Sequence, residues 1–108
     1  MMTFNEPVTC RDGYRVSVQA SRGHYCEPRY SDEPLAYQEV ELGYPSAPDP
    51  LLEGWAEDES RPTETVYPYV PVHLVRELLA NHGGVESGTV PYGVYEDASG
   101  QLLLQLLR

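Results

Sequence analysis

The sequence predicts an α+β fold: a mostly antiparallel four- to five-stranded sheet with one principal helix, residues 71–82, packed on it, and a short acidic helix, residues 50–58, in a long connection. Three observations carry that expectation. Apolar and polar residues alternate in "YRVSVQAS" and in "LAYQEVELGY", the period-two pattern of half-buried strands. They recur at helical spacing in "PVHLVRELLANHGG", which closes on two glycines. A length of 108 residues with 41% hydrophobic content is enough for one modest core, hence a single compact domain over 1–108.

The first strand sets Tyr14, Val16, Val18 and Ala20 against Arg15, Ser17, Gln19 and Ser21, and is entered through a turn at Arg11 to Gly13. Residues 22–34, "RGHYCEPRYSDEP", then form a connection long enough to mark a contact loop. In the second strand Ala36, Gln38, Val40 and Leu42 oppose Tyr37, Glu39 and Glu41. Gly43 to Pro50 is too rich in proline for helix or central strand. It ends in a helix start, with Asp49 as cap, Pro50 at the first position and Leu51, Leu52 and Trp55 following; Gly54 weakens it. Thr65 to Val70 reads as a strand that Pro68 confines to a sheet edge. Pro71 opens the main helix, whose Val72, Val75, Leu78 and Leu79 form one stripe with Leu74 beside it. Gly83 and Gly84 end it. The remainder reads as a hairpin, with Val90, Tyr92 and Val94 alternating, "DASG" turning, and leucines returning; a helix over 101–107 competes with the returning strand.

The charge is unevenly spread. There is no lysine, and the first 31 residues set four arginines against Glu6, Asp12 and Glu27, a balance of +1. Residues 32–64 hold ten carboxylates against Arg61 alone, a balance of −9, so the formal −10 belongs almost wholly to the middle of the chain. Such a field repels nucleic acid and anionic membranes and steers the molecule toward a basic partner. The bland reading is that the charge serves solubility. No basic leader precedes an apolar run at the N-terminus, and "LLL" is the longest apolar stretch, so the expectation is a soluble, cytoplasmic protein whose Cys10 and Cys26 are free thiols.

Catalytic and metal chemistry find little support. His24 and Cys26 make one close pair of possible ligands, with Cys10 upstream, whereas His73 and His82 stand nine apart on different helix faces; zinc needs three or four ligands. No orienting carboxylate accompanies a His24–Cys26 nucleophile, and "GGVESGTVPYG" lacks the lysine and spacing of a phosphate loop. No metal or cofactor is therefore expected. A small hydrolase or metal-binding domain is the third of three readings.

The acidic stretch "DPLLEGWAEDESRPTE" carries the sharper hypothesis. On a helix Asp49, Glu53 and Glu57 would form a row at about 6 Å spacing, near the several-ångström repeat of phosphates. Asp58 and Glu59 extend it, Glu39 and Glu41 flank it on a strand, and Tyr37, Tyr44 and Trp55 supply aromatic anchors of the kind that dominate interfaces. The competing reading makes Trp55 a core plug and the carboxylates its solvated rim. In charge, size and lack of a catalytic motif the chain resembles small phage-encoded inhibitors of bacterial defence, such as anti-CRISPR and anti-restriction proteins. The resemblance implies a non-catalytic nucleic-acid mimic that occupies the basic surface of a larger protein or ribonucleoprotein, binding neither nucleic acid nor membrane itself. The alternative is an acidic interaction or immunity-type module whose basic partner is unrelated to nucleic acid.

Overall fold

The computed structural model describes residues 4–30 and 36–94. Within them five strands make one antiparallel sheet: β1 Val8–Cys10, β2 Arg15–Gln19, β3 Glu39–Gly43, β4 Val66–Pro71 and β5 Val85–Ser87. Their spatial order is β4-β3-β2-β1-β5. The helix, α1, Val72–Asn81, follows β4 directly. Since β4 and β5 are opposite edges, α1 and the turn after it carry the chain across the whole sheet. Four strand spacings amount to about 19 Å, of which ten helical residues supply about 15 Å.

The expected α+β architecture is present, and the alternation builds it. Val16 and Val18 of β2, Val40 and Leu42 of β3, and Val70 of β4 are buried in one core with Val75, Leu78 and Leu79 of α1. Each such side chain contributes about 1.5–3 kcal/mol through burial. Val72 and Leu74 pack only partly against that core. Gln19 is among the buried polar side chains: it takes the Asn5 amide N–H at 2.8 Å and donates to the Asn5 carbonyl at 2.9 Å. Its amide is therefore satisfied and tolerates burial.

Pro68 sits on an edge strand, as a residue without an N–H must. Leu42 pairs with Tyr67 and Val40 with Val70, so Pro68 and Tyr69 together face Glu41 alone. This is a β-bulge, with Tyr69 in the left-handed region at φ 54°. α1 ends where the glycines permit a left-handed turn: Gly83 and Gly84 have φ of 91° and 86°, and the Gly84 N–H bonds the Leu79 carbonyl at 2.8 Å. The β1–β2 turn closes over this end. Arg11 and Asp12 donate their N–H groups to the carbonyls of Gly84 and His82 at 3.1 and 3.2 Å.

Three expectations are corrected. The acidic helix over 50–58 is a single 3-10 turn, Pro50–Leu52; Glu53 is already extended and Gly54 adopts φ 86°. A nine-residue helix interrupted by glycine is too short to hold itself without a packed face, and among its residues only Leu52 is fully buried. The strand expected at Val90 to Val94 is a turn, in which Val94 donates to the Pro91 carbonyl and Gly93 has φ 109°. Pro91 cannot donate to a ladder, and Val94 is buried as a plug instead. The short strands β1 and β5 were not anticipated. The "DASG" turn and the leucines of 101–107 lie outside the described residues. No helix among the described residues is long and apolar enough to cross a membrane.

Candidate functional site

Two prolines around Asp49 fix the entry to the acidic stretch. Asp49 does cap the turn, as its sequence position requires: its carboxylate accepts the Leu51 N–H at 3.0 Å, and its carbonyl accepts from Leu52. Leu52 is buried and pins the turn to the core. The chain then makes a hydrogen-bonded excursion. Asp58 accepts from the Ser60 N–H at 3.0 Å and its hydroxyl at 2.6 Å, and Glu59 accepts the Ala56 N–H at 3.1 Å. The Glu57 and Asp58 amides tie back to the Val66 carbonyl and the Thr65 hydroxyl. Arg61 and Glu64 form the segment's one arginine–carboxylate pair, at 3.2 Å.

A groove of about 570 Å³ lies between this turn and β4. Leu52, Pro62 and Tyr67 give it apolar walls, and the carboxylates of Asp49, Glu53 and Glu59 border it. Tyr67 is buried and donates its hydroxyl to the Pro62 carbonyl at 2.6 Å. Trp55, two residues past Glu53, is 36% exposed. It is not a core plug, and it stands among Glu53, Glu57, Asp58 and Glu59, all exposed.

Behind the groove lies a clip that local spacing does not announce. The His82 ring at the end of α1 bridges two carboxylates: Nδ1 is 2.6 Å from Asp12 and Nε2 is 2.8 Å from Asp49. Its face stacks on Tyr14 at 3.9 Å, the planes 7° apart. Burial pulls the His82 pKa down, but hydrogen bonds and charge from Asp49 and Asp12 outweigh it, and the net shift is above the ordinary 6.5. The Tyr14 N–H and then His82 hold Asp12 below its ordinary 3.8. The clip joins three segments: the helix end, the β1–β2 turn and the Asp49 turn.

The ten residues singled out from sequence divide among three places. Asp49, Glu53 and Glu59 line the groove, and Trp55, Glu57 and Asp58 belong to the same excursion of the chain without lining it, but the regular row at i, i+4 and i+8 does not exist, because the helix does not. Asp49 and Asp58 are also engaged in holding the turns. Glu39 and Glu41 serve the 21–30 loop: Glu41 accepts the Tyr25 N–H at 2.9 Å, and Glu39 bridges to Glu27 through backbone. Tyr37 joins that region, half-buried, with burial raising its phenol pKa and Cys26 adding to the rise. Tyr44, exposed and at φ 51°, borders a separate depression with Arg15 and Thr63.

Sequence reasoning missed Tyr67, Pro62, Tyr14 and His82. The proline density around the stretch was the one available signal of a fixed, non-helical wall. Elsewhere, Cys10 and Cys26 are buried free thiols, burial first and then Asp12 pushing Cys10 up to about 11. His24 is buried with Nδ1 2.6 Å from the Ser21 hydroxyl, and Cys26 donates to the Ser21 carbonyl. Among the described residues no group of three or more His, Cys, Asp or Glu is placed to hold a metal ion. Comparison of the chain with protein-family models, curated proteins and solved structures finds no match.

Proposed function

We propose that this chain is a small acidic binding protein that acts by occupancy rather than catalysis, in the cytoplasm, blocking the basic, nucleic-acid-binding surface of a larger partner. The exposure of Trp55 among carboxylates supports the reading. Charge steers and orients an encounter but adds little affinity alone, while a tryptophan at the centre of a charged rim supplies the desolvated anchor. The 49–64 stretch combines both within one hydrogen-bonded excursion, so little ordering is needed on binding. A second reading, a basic partner unrelated to nucleic acid, is favoured by the loss of the helical row. Carboxylates around a groove no longer reproduce a phosphate repeat.

The test uses the partner recovered from a bacterial lysate. Its affinity for the chain should fall as salt rises from low to physiological, where the screening length is about 8 Å. Trp55→Ala should weaken binding at least about tenfold while changing stability by no more than about 0.5 kcal/mol. Glu57→Lys should weaken it too, because Glu57's carboxylate is solvated and supports no turn. Competition by duplex DNA or RNA assigns the surface to the first reading; binding that nucleic acid does not displace assigns it to the second. Affinity indifferent to salt, to Glu57→Lys and to Trp55→Ala would remove the acidic face from the function.

A further inference from the structure

The depression beside Tyr44 differs in character from the acidic groove. It has a volume of about 500 Å³, and Arg15, Ser17, Tyr44, Pro45, Ser46 and Thr63 are among its lining residues. No carboxylate lines it, in a chain that has 17 of them. Strand alternation puts Arg15 and Ser17 on the same side of β2, opposite the buried Val16 and Val18.

Arg15 itself is an exception. Arg11 and Arg76 donate to the carbonyls of Gly83 and Val94, Arg61 meets Glu64, and Arg29 lies over the rings of Tyr25 and Tyr30. Arg22 is engaged as well. Among the described residues only Arg15 gives its guanidinium no hydrogen bond, ion pair or ring contact; what it offers its neighbours is backbone. The hydroxyls around it are donors too. Ser17 Oγ accepts from the Gln19 amide and Ser46 Oγ from the Arg15 N–H, both at 2.9 Å, which leaves each hydroxyl proton to donate. The Thr63 hydroxyl has no partner among the described residues.

A second observation is independent of this inventory. Tyr44 adopts φ 51° directly before Pro45, where a proline pushes its predecessor toward extended backbone. The Tyr44 N–H to the Thr65 carbonyl, at 3.0 Å, and the burial of Pro45 hold this strained conformation. Its outcome is a ring left 62% exposed at the mouth of the depression. Backbone strain of this kind collects at ligand-binding positions.

We propose that the depression binds a phosphate monoester, with the Arg15 guanidinium on the phosphoryl oxygens, the Ser17, Ser46 and Thr63 hydroxyls donating beside it, and the organic body against Tyr44 and Pro45. A surface that offers donors and no carboxylate selects an anion, and the guanidinium fork matches two oxygens of a phosphoryl group at once. The hydroxyls then serve the third oxygen, which a carboxylate lacks. The volume is in the range of small-molecule sites, about 300–1,000 Å³, and exceeds what a bare anion fills. The chain's net negative charge does not forbid the guest, because charges more than about 8 Å away are screened at physiological salt. This site is separate from the acidic excursion, and neither depends on the other.

The test titrates the full chain with phenyl phosphate at about pH 7.5, where the ester is mostly dianionic, and follows amide and tyrosine-ring NMR shifts. Inorganic phosphate and benzoate are titrated in parallel. The expected result is saturable shifts at Arg15, Ser17, Tyr44 and Ser46, with the ester binding at least about tenfold tighter than either control. Arg15→Gln should weaken the ester at least about tenfold and leave the melting temperature unchanged, because the guanidinium holds nothing in the fold; Arg15→Lys should restore only part of the affinity. Tyr44→Gly should weaken the ester but not inorganic phosphate, with a melting temperature equal to the parent's or higher, because glycine adopts φ 51° without strain. Shifts that do not saturate, a control that binds as tightly as the ester, or an affinity unmoved by Arg15→Gln overturn the proposal.

Discussion

Raising the pH through neutrality should loosen the molecule at one defined point, the His82 clip. The folded pKa of His82 lies above 6.5, so its stabilising contribution is complete below 6.5 and is lost as pH rises through the folded value. The folded pKa of Asp12 lies below 3.8, so its contribution is present above 3.8 and is lost as pH falls through its folded value. The clip is therefore strongest between those two limits. Its larger share comes from Asp49, because the Nε2 contact at 2.8 Å joins side chains only 19% and 12% exposed. A hydrogen bond to a charged group in such a setting contributes about 1.5–3 kcal/mol. Asp12 is 48% exposed, and water screens its share.

Urea unfolding at about pH 5.5 and about pH 9 measures the difference. With a denaturant slope of about 2 kcal/mol per molar, a loss of about 2 kcal/mol lowers the midpoint by about 1 M. His82→Gln keeps a neutral hydrogen bond to one carboxylate but cannot carry charge. It should start less stable at the lower pH and change less across the interval than the parent chain. The His82 ring proton should titrate with a midpoint above 6.5. A parent and variant that lose stability in parallel, or a His82 midpoint at or below 6.5, would refute the bridge as a charged one.

Two further substitutions probe the fold. Leu78→Ala, at a fully buried position of α1, should cost about 2–5 kcal/mol in chemical denaturation; an unchanged midpoint would mean the helix is not packed on the sheet. Gly88→Ala places a Cβ into the Pro7 carbonyl and the Val8 backbone, from a residue at φ 101°. It should cost more than about 1 kcal/mol by prising β5 from β1, and a melting temperature equal to that of the parent would contradict this close approach.

The elements read correctly from sequence are those whose residues satisfy a local rule. Val16, Val18, Val40 and Leu42 alternate because a strand with one buried face must, and Val75, Leu78 and Leu79 recur at helical spacing for the same reason. Pro68 confined its strand to an edge, Gly83 and Gly84 ended the helix, and Asp49 capped the turn after it. Each is decided by a backbone group or a face within a few residues. β1 and β5, at three residues each, are too short for a period to show. The helix over 50–58 failed because its apolar positions found one buried contact, at Leu52, while Gly54 turned the chain away.

The sequence by itself determined the α+β class, the main helix and its limits, the edge strand, and the concentration of negative charge between residues 32 and 64. Only the tertiary structure decided what each carboxylate does with that charge. Asp49 meets His82 across 33 residues, Asp12 meets it across 70, and Glu41 holds Tyr25 across 16. Tyr67 and Pro62 become a groove wall only because β4 pairs with β3 and brings them opposite the Asp49 turn. Periodicity reports which face of an element is buried. It carries no information about which distant side chain will arrive there, because that depends on the order of strands in the sheet and the path of α1 across it.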